Sequence, residues 1–208
     1  MKTYLEQYHD FIQQREVVAG YWIKKEVENL VADMQKPEYF YDTTEAHKRI
    51  KFMQHFCLQS KHPFFGKPLV LMPWQLAFIE CIYSFKMADT GLRRFVEALL
   101  EIARKNGKST LLAGDGNTDL FIGAGGSEIC CASNDDKQCR YIWREIAGMR
   151  QRLDPKSALT RQNLSEISNP SKNIIISRMS SKTQNKDGGN YTKTYQDEIH
   201  DVDEENGN

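Results

Sequence analysis

The sequence predicts an α/β fold, a largely parallel sheet flanked by helices with a helical extension ahead of it. Three observations carry this. The first 60 residues hold helical periodicities. From residue 94 onward, short apolar runs alternate with helical patterns, the order of strands joined by crossover helices. At one such junction lies Gly107-Lys108-Ser109-Thr110, a tight loop opening a helix. The organisation read from this is a helical extension over 1–60 and an α/β core over 61–208.

In the extension, Ile23, Val27, Leu30, Val31 and Met34 recur on one stripe of an amphipathic helix, which Pro37 stops. Asp42-Thr43-Thr44-Glu45 has the form of a capping box, with Glu45 placed to bond back. The helix it opens carries Ala46, Ile50, Met53 and Cys57 toward a core. Lys61 to Gly66 reads as a turn, and Leu69 to Met72 as a short extended run. Pro73 suits the first turn of a helix with Trp74, Phe78, Ile82 and Phe85 on one side, ending before Asp89-Thr90-Gly91.

In the core, Phe95 to Ile102 reads as a buried strand, and the helix after the Gly107 loop must end at Gly123 to Gly126. Glu128 to Ala132 is a second strand. Ser133-Asn134-Asp135-Asp136 caps a long helix with Ile142, Ile146, Met149 and Leu153 in phase. Asn173 to Ile176 is a third strand and Tyr191 to Gln196 a weaker fourth, with a polar surface loop from Ser180 to Asn190 between them.

Composition narrows the function. With 28 Lys plus Arg against 28 Asp plus Glu, no global positive field argues for nucleic acid, though a local basic face is still allowed. No apolar stretch approaches the roughly 20 residues that span a bilayer, and the first residues lack a signal peptide's apolar core. Five cysteines without a C-x-x-C suggest neither a disulfide framework nor a zinc site. Buried thiols at Cys130 and Cys131 and a reducing cytoplasm fit.

Three motifs carry chemistry. In Ala103 to Thr110, Gly107 lets the backbone approach an anion, Lys108 reaches outer phosphates and Ser109 offers a hydroxyl to Mg²⁺. The loop departs from G-x-x-x-x-G-K-[ST], because Ile102 stands at the first glycine and Arg104 and Lys105 fill the middle. In Asp197-Glu198-Ile199-His200, Asp197 suits Mg²⁺ and Glu198 suits orienting and deprotonating a water. An acidic surface turn is the competing reading of that pair. Gln75 in Pro73-Trp74-Gln75 presents the donor and acceptor that suit an adenine edge, with Trp74 beside it. Taken alone, that pair reads as core plus surface. Gln138 alone is a solvated helix residue. Arg140, Arg144, Arg150, Arg152 and Lys156 form either a DNA-facing surface or a solvated helix face. The histidines show no ligand spacing.

With these residues in place, the chain resembles the ATPase half of the large terminase subunit of tailed bacteriophages, a DNA-packaging motor. The match runs from Glu45-Ala46-His47-Lys48-Arg49 through Pro73-Trp74-Gln75 to Arg104-Lys105-Asn106-Gly107-Lys108-Ser109, with Cys131 to Gln138 and Asp197 to His200 as later motifs. The deviant loop is part of the match, since such terminases often lack the leading glycine. The resemblance implies a P-loop NTPase sheet of the ASCE type that uses ATP and Mg²⁺. The phosphates would be held by Arg104, Lys105, Asn106, Gly107, Lys108, Ser109 and Thr110, the base by Trp74 and Gln75, and the metal by Ser109 and Asp197. Lys108, Glu198 and Arg104 would be catalytic, Arg104 as an arginine finger supplied in cis.

It also implies double-stranded DNA, a small terminase subunit and the portal protein of a procapsid as partners. A homo-oligomeric ring, the bacterial host cytoplasm and no membrane complete that picture. The family's coupling motif and nuclease domain do not follow Asp201, so the chain reads as the front part of something longer. A helicase-like translocase, and an inactive truncated prophage remnant acting as an assembly scaffold, are the rival readings.

Overall fold

The computed structural model describes residues 2–133, 136–180 and 190–196, without the side chains of 136–140 and 180. In chain order it contains α1 (Tyr4–Gln13), α2 (Tyr21–Asp33), β1 (Tyr39–Tyr41), α3 (Thr44–Phe56), α4 (Pro73–Ser84) and β2 (Phe85–Met87). There follow α5 (Lys108–Ile122), β3 (Glu128–Ser133), α6 (Asp136–Leu153), β4 (Arg161–Gln162), β5 (Glu166–Asn169), β6 (Ile174–Ser180) and β7 (Lys193–Gln196). These elements form two compact units, one of Met1–Gln54 with Val70–Glu101, the other of His55–Leu69 with Ile102–Asn208.

The first unit is helical. Thr3 and Glu6 close a capping box on α1, whose Leu5, Tyr8 and Ile12 turn one stripe inward. That stripe packs with Val27 and Leu30 of α2 and with Ala77, Cys81 and Phe85. Ile23, placed on the same stripe by sequence, is exposed together with Tyr21 and Trp22, because the stripe meets the core only from Val27 onward. Glu80 is fully buried on α4, and its carboxylate accepts the Tyr4 and Leu5 N–H groups and the Tyr41 hydroxyl. His47 Nε2 lies 2.6 Å from the same group. A buried carboxylate at a helix N-terminus satisfies donors that otherwise cost about 1–3 kcal/mol each.

Two expectations for this unit change. Asp42 accepts the Thr44 N–H, but Glu45 does not bond back, since its carboxylate takes Arg49 and Arg93 instead. In α4 the side bearing Trp74, Phe78 and Ile82 is only half-buried, whereas Gln75, Ala77, Ile79, Glu80, Cys81, Tyr83 and Ser84 are buried. A helix apolar on nearly all sides has no single face to lose to solvent. A short antiparallel pair, β1 with β2, completes the unit in the register Tyr39↔Met87.

Phe95 to Ile102 is not a strand. It has no ladder partner, and Val96 is 90% and Leu99 74% exposed. Apolar composition makes a strand only where an edge is offered for pairing.

The second unit holds a five-stranded sheet in the order β4-β5-β6-β3-β7. β3 pairs in parallel with β6 and β7, while β5 is antiparallel to both β4 and β6. The sheet is therefore mixed, not largely parallel. The β4–β5 hairpin was missed because its segment is polar, and its turn is closed by Asn163 accepting the Ser165 and Glu166 N–H groups.

α5 and α6 pack on each other and both lie on β6. Asn117 Nδ2 of α5 donates to Ile146 O of α6 at 3.1 Å, and a Cβ at Gly116 would stand 3.1 Å from the Ile146 side chain. Helices this close share one face of the sheet. Ile142, Ile146 and Met149 are buried as the periodicity requires, while Leu153, in the last turn, is half-buried. Cys130 and Cys131 are buried, and burial pushes the thiols of Cys57 and Cys81 up to about 12, which leaves them unreactive. Among the described residues no helix is long and apolar enough to cross a membrane.

Candidate functional site

The loop before α5 is built for close approach. Gly107 is its N-cap at φ 81°, ψ 13°, a left-handed conformation that glycine adopts without strain. Lys105 is also left-handed at φ 68°. Asn106 Nδ2 donates to Ala103 O at 3.0 Å and to Arg104 O at 3.4 Å, folding the loop back on itself. Arg104 to Gly107 are exposed, and Lys108, Ser109 and Thr110 are half-buried where the helix begins. The first helical bond runs from Leu111 N–H to Gly107 O, and no side chain caps the helix start. The amides of 108–110 thus belong to the first turn of a helix N-terminus, where the helix dipole and Arg104, Lys105 and Lys108 in sequence favour an anion. That donor set fits phosphate oxygens.

Behind the loop, α5 is pinned to β7. Lys193 Nζ reaches Asp115 Oδ2 at 2.9 Å and also pairs with Asp119, while the Tyr195 hydroxyl donates to Asp115 at 2.8 Å. Asp115 and Asp119 lie one turn apart on α5, and Lys193 and Tyr195 lie two apart on β7. These four residues were not singled out from sequence, although the matching i,i+4 and i,i+2 spacings were a usable signal. Asn169 Nδ2 of β5 donates to Leu120 O at 2.9 Å and fixes the far end of α5.

The remaining predicted residues divide. Trp74 and Gln75 belong to the first unit, where Trp74 packs against its core and the Gln75 amide oxygen accepts the Met72 N–H at 2.8 Å. Asp197, Glu198 and His200, and the Ser180 to Asn190 loop apart from its end residues, lie outside the described residues; the side chains of Gln138 and Arg140 do too. Among the described residues no group of His, Cys, Asp and Glu could hold a metal ion.

Of the basic residues on and after α6, Arg144 and Lys156 are exposed. Arg150 is 5% exposed and does not face solvent at all. Its guanidinium donates to the Thr160 hydroxyl, Thr160 O and the Ser157 hydroxyl. Asp154 beside it accepts the Ala158, Leu159 and Thr160 N–H groups and the Thr160 hydroxyl. Burial alone would raise the Asp154 carboxyl, but these donors outweigh it and hold it down to about 2. Arg150 thus belongs to a buried network that folds the chain back after α6.

The fold and the loop together define an α/β protein with an anion-ready loop at the head of a buried helix. The sequence model of the terminase large subunit ATPase domain matches residues 73–207, and the chain belongs to that family. The terminase large subunit of Enterobacteria phage HK97 is 38% identical over 71 residues, which are 34% of this chain and 13% of that protein. The crystal structure of the HK97 bacteriophage large terminase is similar with a TM-score of 0.63 and 25% identity, over 76% of this chain and 32% of that one. The chain therefore spans about a third of the solved relative's length.

Proposed function

We propose that this chain is the Mg²⁺-dependent, ATP-hydrolysing part of a phage or prophage DNA-packaging motor, built on a P-loop NTPase sheet. The observation that carries the reading is the loop of Arg104 to Thr110, which sets a left-handed glycine at the head of α5 with no side chain capping it and places Arg104, Lys105 and Lys108 in the same short stretch. In this reading the extension covers 1–60 and the ATPase core 61–208. Lys108 and the loop amides hold the β- and γ-phosphates, and Arg104 stabilises the charge that develops on the transferring phosphoryl group. Ser109 and Asp197 would hold Mg²⁺, which supplies charge neutralisation between the outer phosphates when bound. Glu198 takes the proton from the attacking water, and Trp74 with Gln75 serves the base. In sequence, Asp197 follows Lys193 and Tyr195 at the next in-phase position, and those two residues tie β7 to α5. The partners are double-stranded DNA, a small terminase subunit and a portal protein, in a ring of copies in the bacterial host cytoplasm.

The test is Mg²⁺-dependent ATP hydrolysis by the purified chain. Turnover is expected to disappear in Lys108→Ala and Glu198→Ala. Absence of hydrolysis in the unaltered chain, or its survival in Lys108→Ala, overturns the reading. Unchanged turnover in Arg104→Ala would remove that residue's role alone.

A further inference from the structure

The chain is electrically neutral as a whole, yet His55–Leu69 contains Lys61 and Lys67 with two histidines and no Asp or Glu. This segment folds as a closed loop. Gln59 N–H donates to Lys67 O, Leu69 N–H to Cys57 O and Gly66 N–H to Gln59 O, each at 2.9 Å. It lies along one face of α6. Ser60 and Lys61 both bond to the buried carboxylate of Glu145, Ser60 also approaches Gly148, and Arg152 reaches the loop tip. Positions 145, 148 and 152 are spaced i, i+3 and i+7, so a single helix stripe carries the whole loop. Gly148 makes this possible, since a Cβ there would stand 3.0 Å from Ser60 Cβ.

The tip presents two phenylalanines to solvent, Phe64 at 51% and Phe65 at 63% exposure. The Arg152 guanidinium lies 3.9 Å from the Phe65 ring centre, and Lys67 Nζ lies 5.7 Å from that of Phe64. The Glu145 carboxylate bonded to the loop is already taken by Lys61 and Ser60. A braced loop that exposes paired aromatics, each backed by a cation, suits a polyanion that also offers apolar surface. Phosphates meet the cations, while sugars and base edges meet the rings.

We infer that the Lys61–Lys67 loop, with Arg152 of α6, is a contact surface for duplex DNA. This rests on the packaging reading for the identity of the polyanion, but it concerns residues apart from the phosphate loop and is read without ATP. The experiment is fluorescence anisotropy of a labelled DNA duplex with the full chain across a salt series. Lys67→Gln is expected to weaken binding a few-fold and to lower the salt slope by about one. Phe64→Ser with Phe65→Ser is expected to weaken binding about tenfold with the slope unchanged. Thermal melts of both variants should match the unaltered chain, because the substituted groups are exposed.

No duplex binding by the unaltered chain at low salt overturns the inference. So does unchanged affinity in both variants, as would follow if the face served a protein partner or a second copy. Absence of hydrolysis in the unaltered chain with duplex binding intact would overturn the ATPase reading and leave the loop's role standing, so the two readings fail separately.

Discussion

Gly107 is the residue on which the loop ahead of α5 turns. At φ 81° a side chain would push Cβ against the following carbonyl, a cost of about 1–2 kcal/mol. Gly107→Ala is therefore expected to lower unfolding free energy by about that amount and to abolish nucleotide binding, because relief of the strain rotates the amides of 108–110. Denaturant titration and nucleotide titration check the two halves. Stability loss with full nucleotide affinity would show that the αL turn is structural only. Sequence made this turn legible, since Gly107 stands directly ahead of a helix start, where a left-handed residue is needed. Arg150 was not legible. Its spacing matches a surface arginine, and only the return of the chain to Thr160 buries it. Removing the Asp154 carboxylate takes the counter-charge from beside that guanidinium and leaves three N–H groups without their acceptor. Asp154→Ala is expected to destabilise the fold by about 3 kcal/mol or more, measured by urea unfolding, against no change for a surface Asp.

Among elements, the helices were read well because their apolar period survives a partial burial. α3 buries Ala46, Ile50 and Met53 of its stripe and α6 buries Ile142, Ile146 and Met149, with Leu153 at the helix end only half-buried. Strands were read only where they are central. β3 and β6 are buried apolar runs, whereas β4 and β5 depend on a hairpin turn of Asn and Ser, and Phe95 to Ile102 has the composition of a strand without an edge to join. Pairing is a property of two segments, so one segment's composition cannot decide it. Packing between elements was hidden for the same reason. Gly148 reads as a weak point in a helix, yet it is the gap that seats Ser60. Gly148→Val gains intrinsic helix propensity but must displace that segment, and is expected to cost about 1–3 kcal/mol. Calorimetry showing a gain in Tm instead would mean that the 55–69 segment yields freely.

Among the described residues, a carboxyl in each unit is held at about 2, against an ordinary value near 3.8. In the first unit Asp42 is lowered by the Thr44 hydroxyl, then by the Thr44 N–H and Lys86. In the second it is Asp154, through the donors described above. A folded-state pKa below the unfolded value means that the unfolded chain binds the proton more readily. The stabilisation is therefore complete above about pH 4 and is lost as the pH falls toward 2. Asp42→Asn and Asp154→Asn should each be less stable than the unaltered chain at pH 7, with the difference shrinking between pH 4 and 2. The two carboxyls lie in different units, so hydrogen exchange should localise the first effect to the α3 start and β2, and the second to the end of α6 and Thr160. A difference that stays constant down to pH 2 would show that the carboxylates act through shape and not through charge.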